Sequence, residues 1–250
     1  MPTVDLYGFQ MYFDDRGDGD PLLLLHGGMG VGSDWRHVFP SDPTGYRVIV
    51  PDLRGHGRST NPDRTFTFRQ CADDVLALLE HLGLARVKAI GMSMGAKALL
   101  HMATRQPTRL DAIVLVSATP YFPPPLRIAA AQFTRESFDR LSEPERHALR
   151  ERHVHGDEQI RVLYDMTRSF ATSHDDMAFT PPQLRTITAR TLIVHGDRDP
   201  YYPIEMAIEL FRGIPQSALW IVPYGAHGPI FGTMAAPFAA AALAHLSGRA

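Results

Sequence analysis

The stretch Val87-Lys88-Ala89-Ile90-Gly91-Met92-Ser93-Met94-Gly95-Ala96-Lys97-Ala98-Leu99-Leu100 changes its local pattern at one residue. Residues 87–92 form an apolar run of strand length, and residues 95–106 read as a helix that must end before Pro107. Ser93 stands at the corner, with a glycine two residues away on either side. A turn this sharp forces its central residue into a strained backbone conformation, and flanking glycines let neighbouring backbone pass close. It also lifts the Ser93 hydroxyl above the sheet edge, beside the N–H groups of a helix N-terminus that favour developing negative charge. A Gly-Ser-Gly cluster alone is an ordinary turn. The strand before it and the helix after it make G-x-S-x-G a nucleophile elbow.

Outward from this corner, short apolar β runs alternate with helical segments, the signature of a mostly parallel sheet covered on both faces. Residues 4–7 and 10–13, separated by Gly8, read as a leading hairpin. Residues 22–25 are unbroken leucine and read as a strand buried on both sides; residues 47–50 read as the next strand. Thr67 and Gln70 suit a capping box, after which Cys71, Val75, Leu78, Leu79 and Leu82 share one helical face and Gly83 stops the helix. Cys71 is therefore a core residue rather than a reactive thiol. Further strands are expected at 112–117, 191–194 and 218–222, and helices at 204–211 and 234–246, with Pro237 in the last one's first turn.

Between 119 and 188 the alternation is interrupted. Pro123-Pro124-Pro125 opens the segment and Pro181-Pro182 closes it, around helical stretches with charges of both signs. Ser142 and Glu145 suit a capping box. Asp157 suits the cap of a helix carrying Ile160, Leu163, Tyr164 and Met166. The expected organisation is a core of residues 1–118 and 189–250 with a helical lid inserted at 119–188, its mixed charges forming a solvated outer face.

A serine hydroxyl needs a base, and folds built on this elbow run in the order serine, acid, histidine. His227, in the loop after the last strand, suits the base; the other histidines, such as His81, His101 and His245 on helices or His153, His155 and His174 in the insertion, read as surface or packing residues. The turn after the penultimate strand, Gly196-Asp197-Arg198-Asp199, offers two carboxylates. Asp197 lies against the strand end, whereas Asp199 lies further out, where it can swing toward the last loop. One oxyanion donor is the N–H of Met94, and the second is expected from Gly28 in His26-Gly27-Gly28-Met29-Gly30.

Composition narrows the class. Of 250 residues 44% are hydrophobic and 21% charged, as in an ordinary globular enzyme, and a net charge of −2 offers no global field for nucleic acid or an anionic membrane. One cysteine excludes an intramolecular disulfide. The start, Met1-Pro2-Thr3-Val4-Asp5, has no secretory pattern, and residues 234–246 are too short for a membrane span of about 20 residues. A cytoplasmic protein acting on a small molecule, without nucleic-acid or membrane partners, is the expectation. His153-x-His155-x-Asp157 lacks further ligands for a metal, and no G-x-G-x-x-G or P-loop implies a nucleotide, so neither metal nor cofactor is expected.

As a set, Leu25-His26-Gly27-Gly28, Pro51-Asp52-Leu53-Arg54-Gly55-His56-Gly57-Arg58-Ser59, the elbow, His195-Gly196-Asp197-Arg198-Asp199 and His227 resemble the α/β-hydrolase superfamily, in particular its lidded, cofactor-independent esterases and lactonases. Ser93-Met94-Gly95-Ala96-Lys97 is similar to the elbow of small bacterial esterases, although Ala96 replaces a commoner glycine and Met92 a common histidine. The resemblance implies the α/β-hydrolase fold, assigns Asp199 as the acid of a Ser93–His227–Asp199 triad, and makes the 52–59 loop structural, with Arg54 and His56 bracing the elbow. The implied reaction is cleavage of a carboxylic ester through an acyl-enzyme. Lactonase, amidase and C–C bond hydrolase chemistry remain rivals, as do a cofactor-free lyase or oxygenase and a non-enzymatic ligand receptor on the same fold. Candidate pocket residues are Met29, Trp35, Tyr121, Phe122, Tyr164, Phe170, Tyr201, Tyr202 and Ile230, whose apolar character predicts an uncharged or weakly polar substrate.

Overall fold

A computed structural model describes residues 3–248. Met1 and Pro2, at the start of the stretch read as lacking a leader, lie outside the described residues, as do 249 and 250. Eight strands form one sheet: β1 (Thr3–Leu6), β2 (Phe9–Arg16), β3 (Asp20–Leu25), β4 (Tyr46–Pro51), β5 (Val87–Met92), β6 (Leu110–Val116), β7 (Arg190–Gly196) and β8 (Ser217–Val222). Their order is β1-β2-β4-β3-β5-β6-β7-β8. The leading hairpin is antiparallel, and every pairing from β4 through β3 to β8 is parallel.

The leucine run explains why the sheet is covered twice. Along β3 side chains alternate, so Leu23 and Leu25 enter one core and Leu22 and Leu24 the other. The first core is closed by α1 (Phe68–His81), α2 (Met94–Arg105) and α8 (Ile204–Gly213); the second by α9 (Ala235–Ser247) and the turn carrying Trp35, Val38 and Phe39. In α1 the expected stripe of Cys71, Val75, Leu78 and Leu79 is fully buried, each large side chain contributing roughly 1.5–3 kcal/mol. Burial pushes the Cys71 thiol well above its ordinary value, which fits an inert core residue.

Between β6 and β7 lie five helices, α3 (Pro124–Ala130), α4 (Arg135–Asp139), α5 (Glu143–Arg152), α6 (Asp157–Ser169) and α7 (Pro181–Leu184). Phe138, Ile160 and Tyr164 form a small core of their own within them. Among the described residues no helix is long and apolar enough to cross a membrane.

Three local expectations need correction. Thr67 does cap α1 through the Gln70 N–H, but the Gln70 side chain does not return the bond. Instead the Asp176 carboxylate takes the Phe68 and Arg69 N–H groups at 2.7 and 3.2 Å. Gly156, not Asp157, is the cap of α6; Asp157 is drawn into a bidentate pair with Arg150. Arg54 does not brace the elbow: it forms a buried bidentate pair with Asp74 of α1 and stacks over Phe9 at 3.8 Å.

Candidate active site

The loops at the carboxyl ends of five adjacent parallel strands carry, in spatial order, Gly28 after β3, Ser93 after β5, Ser117 after β6, Asp199 after β7 and His227 after β8. Ligands of open parallel sheets bind at this edge. At the elbow Ser93 has φ +47 and ψ −98, a strained geometry for a residue with a side chain. The glycines are sterically required. A Cβ on Gly91 would lie 2.6 Å from the Gly95 carbonyl carbon, and one on Gly95 would lie 2.5 Å from the Leu25 Cβ.

His227 Nε2 lies 2.9 Å from the Ser93 Oγ, positioned to accept its proton, and His227 Nδ1 lies 2.7 Å from Asp199 Oδ2, to which it donates. The other Asp199 oxygen accepts the N–H groups of Tyr201 and Tyr202 at 2.9 and 3.1 Å. Burial opposes the charge of this carboxylate, but the bonds from His227, Tyr201 and Tyr202 outweigh it and hold its pKa below the usual range. Asp197 is exposed at the surface. Of the two candidate acids, only Asp199 contacts His227. The rings of Tyr201 and Tyr202 stand edge-on to the imidazole, each 5.0 Å away.

Ser117 was not foreseen. It has φ +49, is fully buried, and its hydroxyl donates to the His227 carbonyl at 2.9 Å. The bond joins residues 110 apart, so only the proximity of the loops after β6 and β8 in the folded sheet makes it.

On the opposite side of Ser93, the Gly30 N–H closes a turn onto the Gly27 carbonyl, with Met29 at φ +57. The elbow is tied to this loop by the Gly95 N–H bound to the His26 carbonyl at 3.0 Å. His26 Nε2 accepts the Leu53 N–H, so the 52–59 loop reaches the elbow through His26. Among the described residues neither the Gly28 nor the Met94 N–H donates to a protein acceptor. A cavity of about 150 Å³ on the Gly28 side is lined by Gly28, Met29, Trp35, Met92, Arg152 and Phe231.

The remaining pocket candidates diverge. Met29 and Trp35 border that cavity, and Phe122 stacks between Phe68 and Phe170 at 5.8 and 5.3 Å. Tyr164 is packed against Phe138, Ile230 is fully buried in the second core, and Tyr121 is 37% exposed beside Ala178. Met92 packs against Gly27 and Gly228, in contact with both loops that flank Ser93.

The helical segment meets the sheet along the 52–59 loop. His153 Nδ1 accepts the Gly57 N–H, His155 Nε2 donates to the Arg58 carbonyl, Gln159 donates to the Gly55 and Gly57 carbonyls, and Arg152 pairs with Asp34. His26, His56 and His153 lie in series, the rings tilted and edge-on to one another, with centroids 5.1 and 5.9 Å apart. The residues weighed as metal ligands therefore have separate partners, and no group of three metal-type donors converges among the described residues.

The elbow motif also carries a charged side chain close to the serine. Lys97 is 3% exposed, one helical turn beyond Ser93 on α2, with Nζ 4.8 Å from the Phe68 ring, 5.2 Å from Tyr202 and 5.9 Å from Phe122. A signal existed in the sequence: Lys97 and His101 share one face of an otherwise apolar helix.

A doubly covered, mostly parallel sheet with an elbow serine after β5, an aspartate after β7 and a histidine after β8 defines an α/β-hydrolase architecture. The family profile described as alpha/beta hydrolase fold matches residues 20–156, and the chain belongs to this family. It is 28% identical to the 2-hydroxy-6-oxo-6-(2'-aminophenyl)hexa-2,4-dienoic acid hydrolase of Metapseudomonas resinovorans, an alignment covering 99% of this chain and 91% of that one. A solved alpha/beta hydrolase enzyme from a Medee basin deep-sea metagenome library superposes with a TM-score of 0.82 at 18% identity, covering 98% and 97% of the two chains. A thermophilic esterase from Thermogutta terrifontis superposes with a TM-score of 0.72 at 25% identity, covering 97% and 94%.

Proposed function

We propose that the protein is a serine hydrolase that cleaves a carboxylic ester, open or cyclic, through an acyl-enzyme. The observation that carries this reading is the continuous line of hydrogen bonds from Ser93 through His227 to Asp199. His227 takes the Ser93 proton as Oγ attacks the carbonyl carbon, while Asp199 holds the imidazole tautomer and stabilises its cation. The N–H groups of Gly28 and Met94 receive the oxyanion. His227 then protonates the leaving alkoxide and activates the water that releases the acid.

Residues 119–188 act as the lid in this reading, seated on the 52–59 loop through His153, His155 and Gln159. Their ion pairs on the outside, such as Arg135 with Asp165 and Arg161 with Asp139, contribute little to stability, in keeping with a solvated surface. A second reading, hydrolysis of a C–C bond next to a ketone, is favoured by the name of the Metapseudomonas relative, with which the alignment runs nearly end to end. It uses the same base and oxyanion donors.

The test is labelling with a serine-directed phosphonate together with turnover of short-chain aryl esters, lactones and a 2-hydroxy-6-oxo-dienoic acid. Covalent modification of Ser93 with turnover of an ester or lactone is expected, and Ser93→Ala should abolish both. Turnover of the dienoic acid alone moves the assignment to C–C hydrolysis. Absence of any adduct and any turnover overturns the hydrolase reading.

A further inference from the structure

Lys97 is anomalous for its surroundings. Its neighbours on α2, Ala96, Ala98, Leu99 and Leu100, are fully buried and apolar. Among the described residues its ammonium makes no ion pair and no hydrogen bond to a protein acceptor. The nearest acids are already engaged: Asp199 by His227, Tyr201 and Tyr202, and Asp176 by the N–H groups opening α1. Three aromatic faces offset part of the burial through cation–π contact. An unpaired buried ammonium is nevertheless costly, and a methionine would fill the same space without that cost.

Its direction is informative. Side chains on a helix lean toward the N-terminus, and residue i+4 lies directly beneath residue i. From α2, Lys97 therefore points back along the face that ends at Ser93. The Tyr202 ring that it faces is one of the two set edge-on to His227. Burial pulls the ammonium down to about 7, against the opposing charges of Asp199 and Asp176, so the group gains its full charge when a second anion arrives.

We propose that Lys97 is a recognition residue for a carboxylate carried by the substrate, a few bonds away from the carbonyl that Ser93 attacks. This rests on the hydrolase reading for the identity of the reacting end, and it replaces the uncharged substrate expected from the apolar lining. A carboxylate is the group that fits: it supplies the missing counter-charge and accepts the hydrogen bonds the ammonium cannot otherwise make.

The experiment compares the mono-p-nitrophenyl ester of glutaric acid with the neutral p-nitrophenyl valerate. Wild-type enzyme should favour the acidic ester, and Lys97→Met should lower its kcat/KM roughly 30- to 300-fold while the neutral ester changes less than about 3-fold. Lys97→Met should melt at or above the wild-type temperature; should it fail to fold, Lys97→Gln takes its place in both measurements. Binding of glutarate to Ser93→Ala enzyme, followed by calorimetry, reads the same site without turnover, and adding Lys97→Met should abolish it. If wild type turns over neither ester while Ser93→Ala still binds glutarate through Lys97, the hydrolase reading fails and the carboxylate site stands. Equal loss on both esters, no loss on either, or glutarate binding indifferent to Lys97 overturns the proposal.

Discussion

Asp199 and Asp197 are chemically identical and two residues apart, yet their environments separate them completely. The Asp199 side chain is fully buried and its two oxygens accept three hydrogen bonds, whereas Asp197 is exposed at the turn. Asp199→Asn should therefore lower kcat on the order of 10⁴-fold with KM little changed, because an amide cannot hold the His227 tautomer in the same way. Asp197→Asn should stay within about 3-fold of wild type, since no bond to His227 is removed. Steady-state kinetics on the two variants decide between them, and a reversed result would move the acid to Asp197. At this scale Ser93 and His227 were legible from local pattern, since a strand before and a helix after a G-x-S-x-G turn leave one geometry for the serine. Ser117 was not, because a serine at the end of an apolar strand has no pattern that announces a partner 110 residues away.

The start of α1 makes the same point for an element. Its apolar stripe and its stop at Gly83, where φ is +67, follow from periodicity and from the αL preference of glycine. Its N-terminal satisfaction does not. Thr67 meets one donor locally, and Asp176, from the end of the long segment between β6 and β7, meets two more. Asp176→Ala should remove about 1–2 kcal/mol and lower the melting temperature by roughly 2–8 °C, with faster amide exchange at Phe68 and Arg69. An unchanged melting temperature would mean that water replaces the carboxylate at no loss. At Ser142 and Glu145 the pairing that the local pattern implies forms through the Glu145 carboxylate, which takes both the Ser142 N–H and its hydroxyl, because both partners lie within one turn and need no tertiary contact. Asp157 fails as a cap because Arg150, one helix away, offers a stronger bidentate partner.

For the whole molecule, the seam between the sheet and the helical segment sets a pH limit on stability. Burial, followed by the neighbouring charge of His26, brings His153 down to about 4 from its ordinary 6.5; His26 and His56 are also depressed, chiefly by burial. Between those pH values the unfolded chain binds more protons than the folded one, so this stability is fully present above 6.5 and is lost as pH falls toward 4. His153 alone withdraws about 3 kcal/mol by pH 4. Thermal unfolding should therefore shift down steeply from pH 7 to pH 5, and His153→Gln should flatten the slope; an equally steep profile in that variant would place the titration elsewhere. Sequence by itself determined the alternating sheet, the elbow that carries Ser93 and the place of His227 after the last strand, because each depends on side-chain period and backbone sterics within a few residues. Tertiary structure alone decided which aspartate meets His227, which acid caps α1, where the histidines meet and that Lys97 lies unpaired beside the elbow. Those outcomes depend on which strand ends become neighbours, and burial then determines which charges must find a partner.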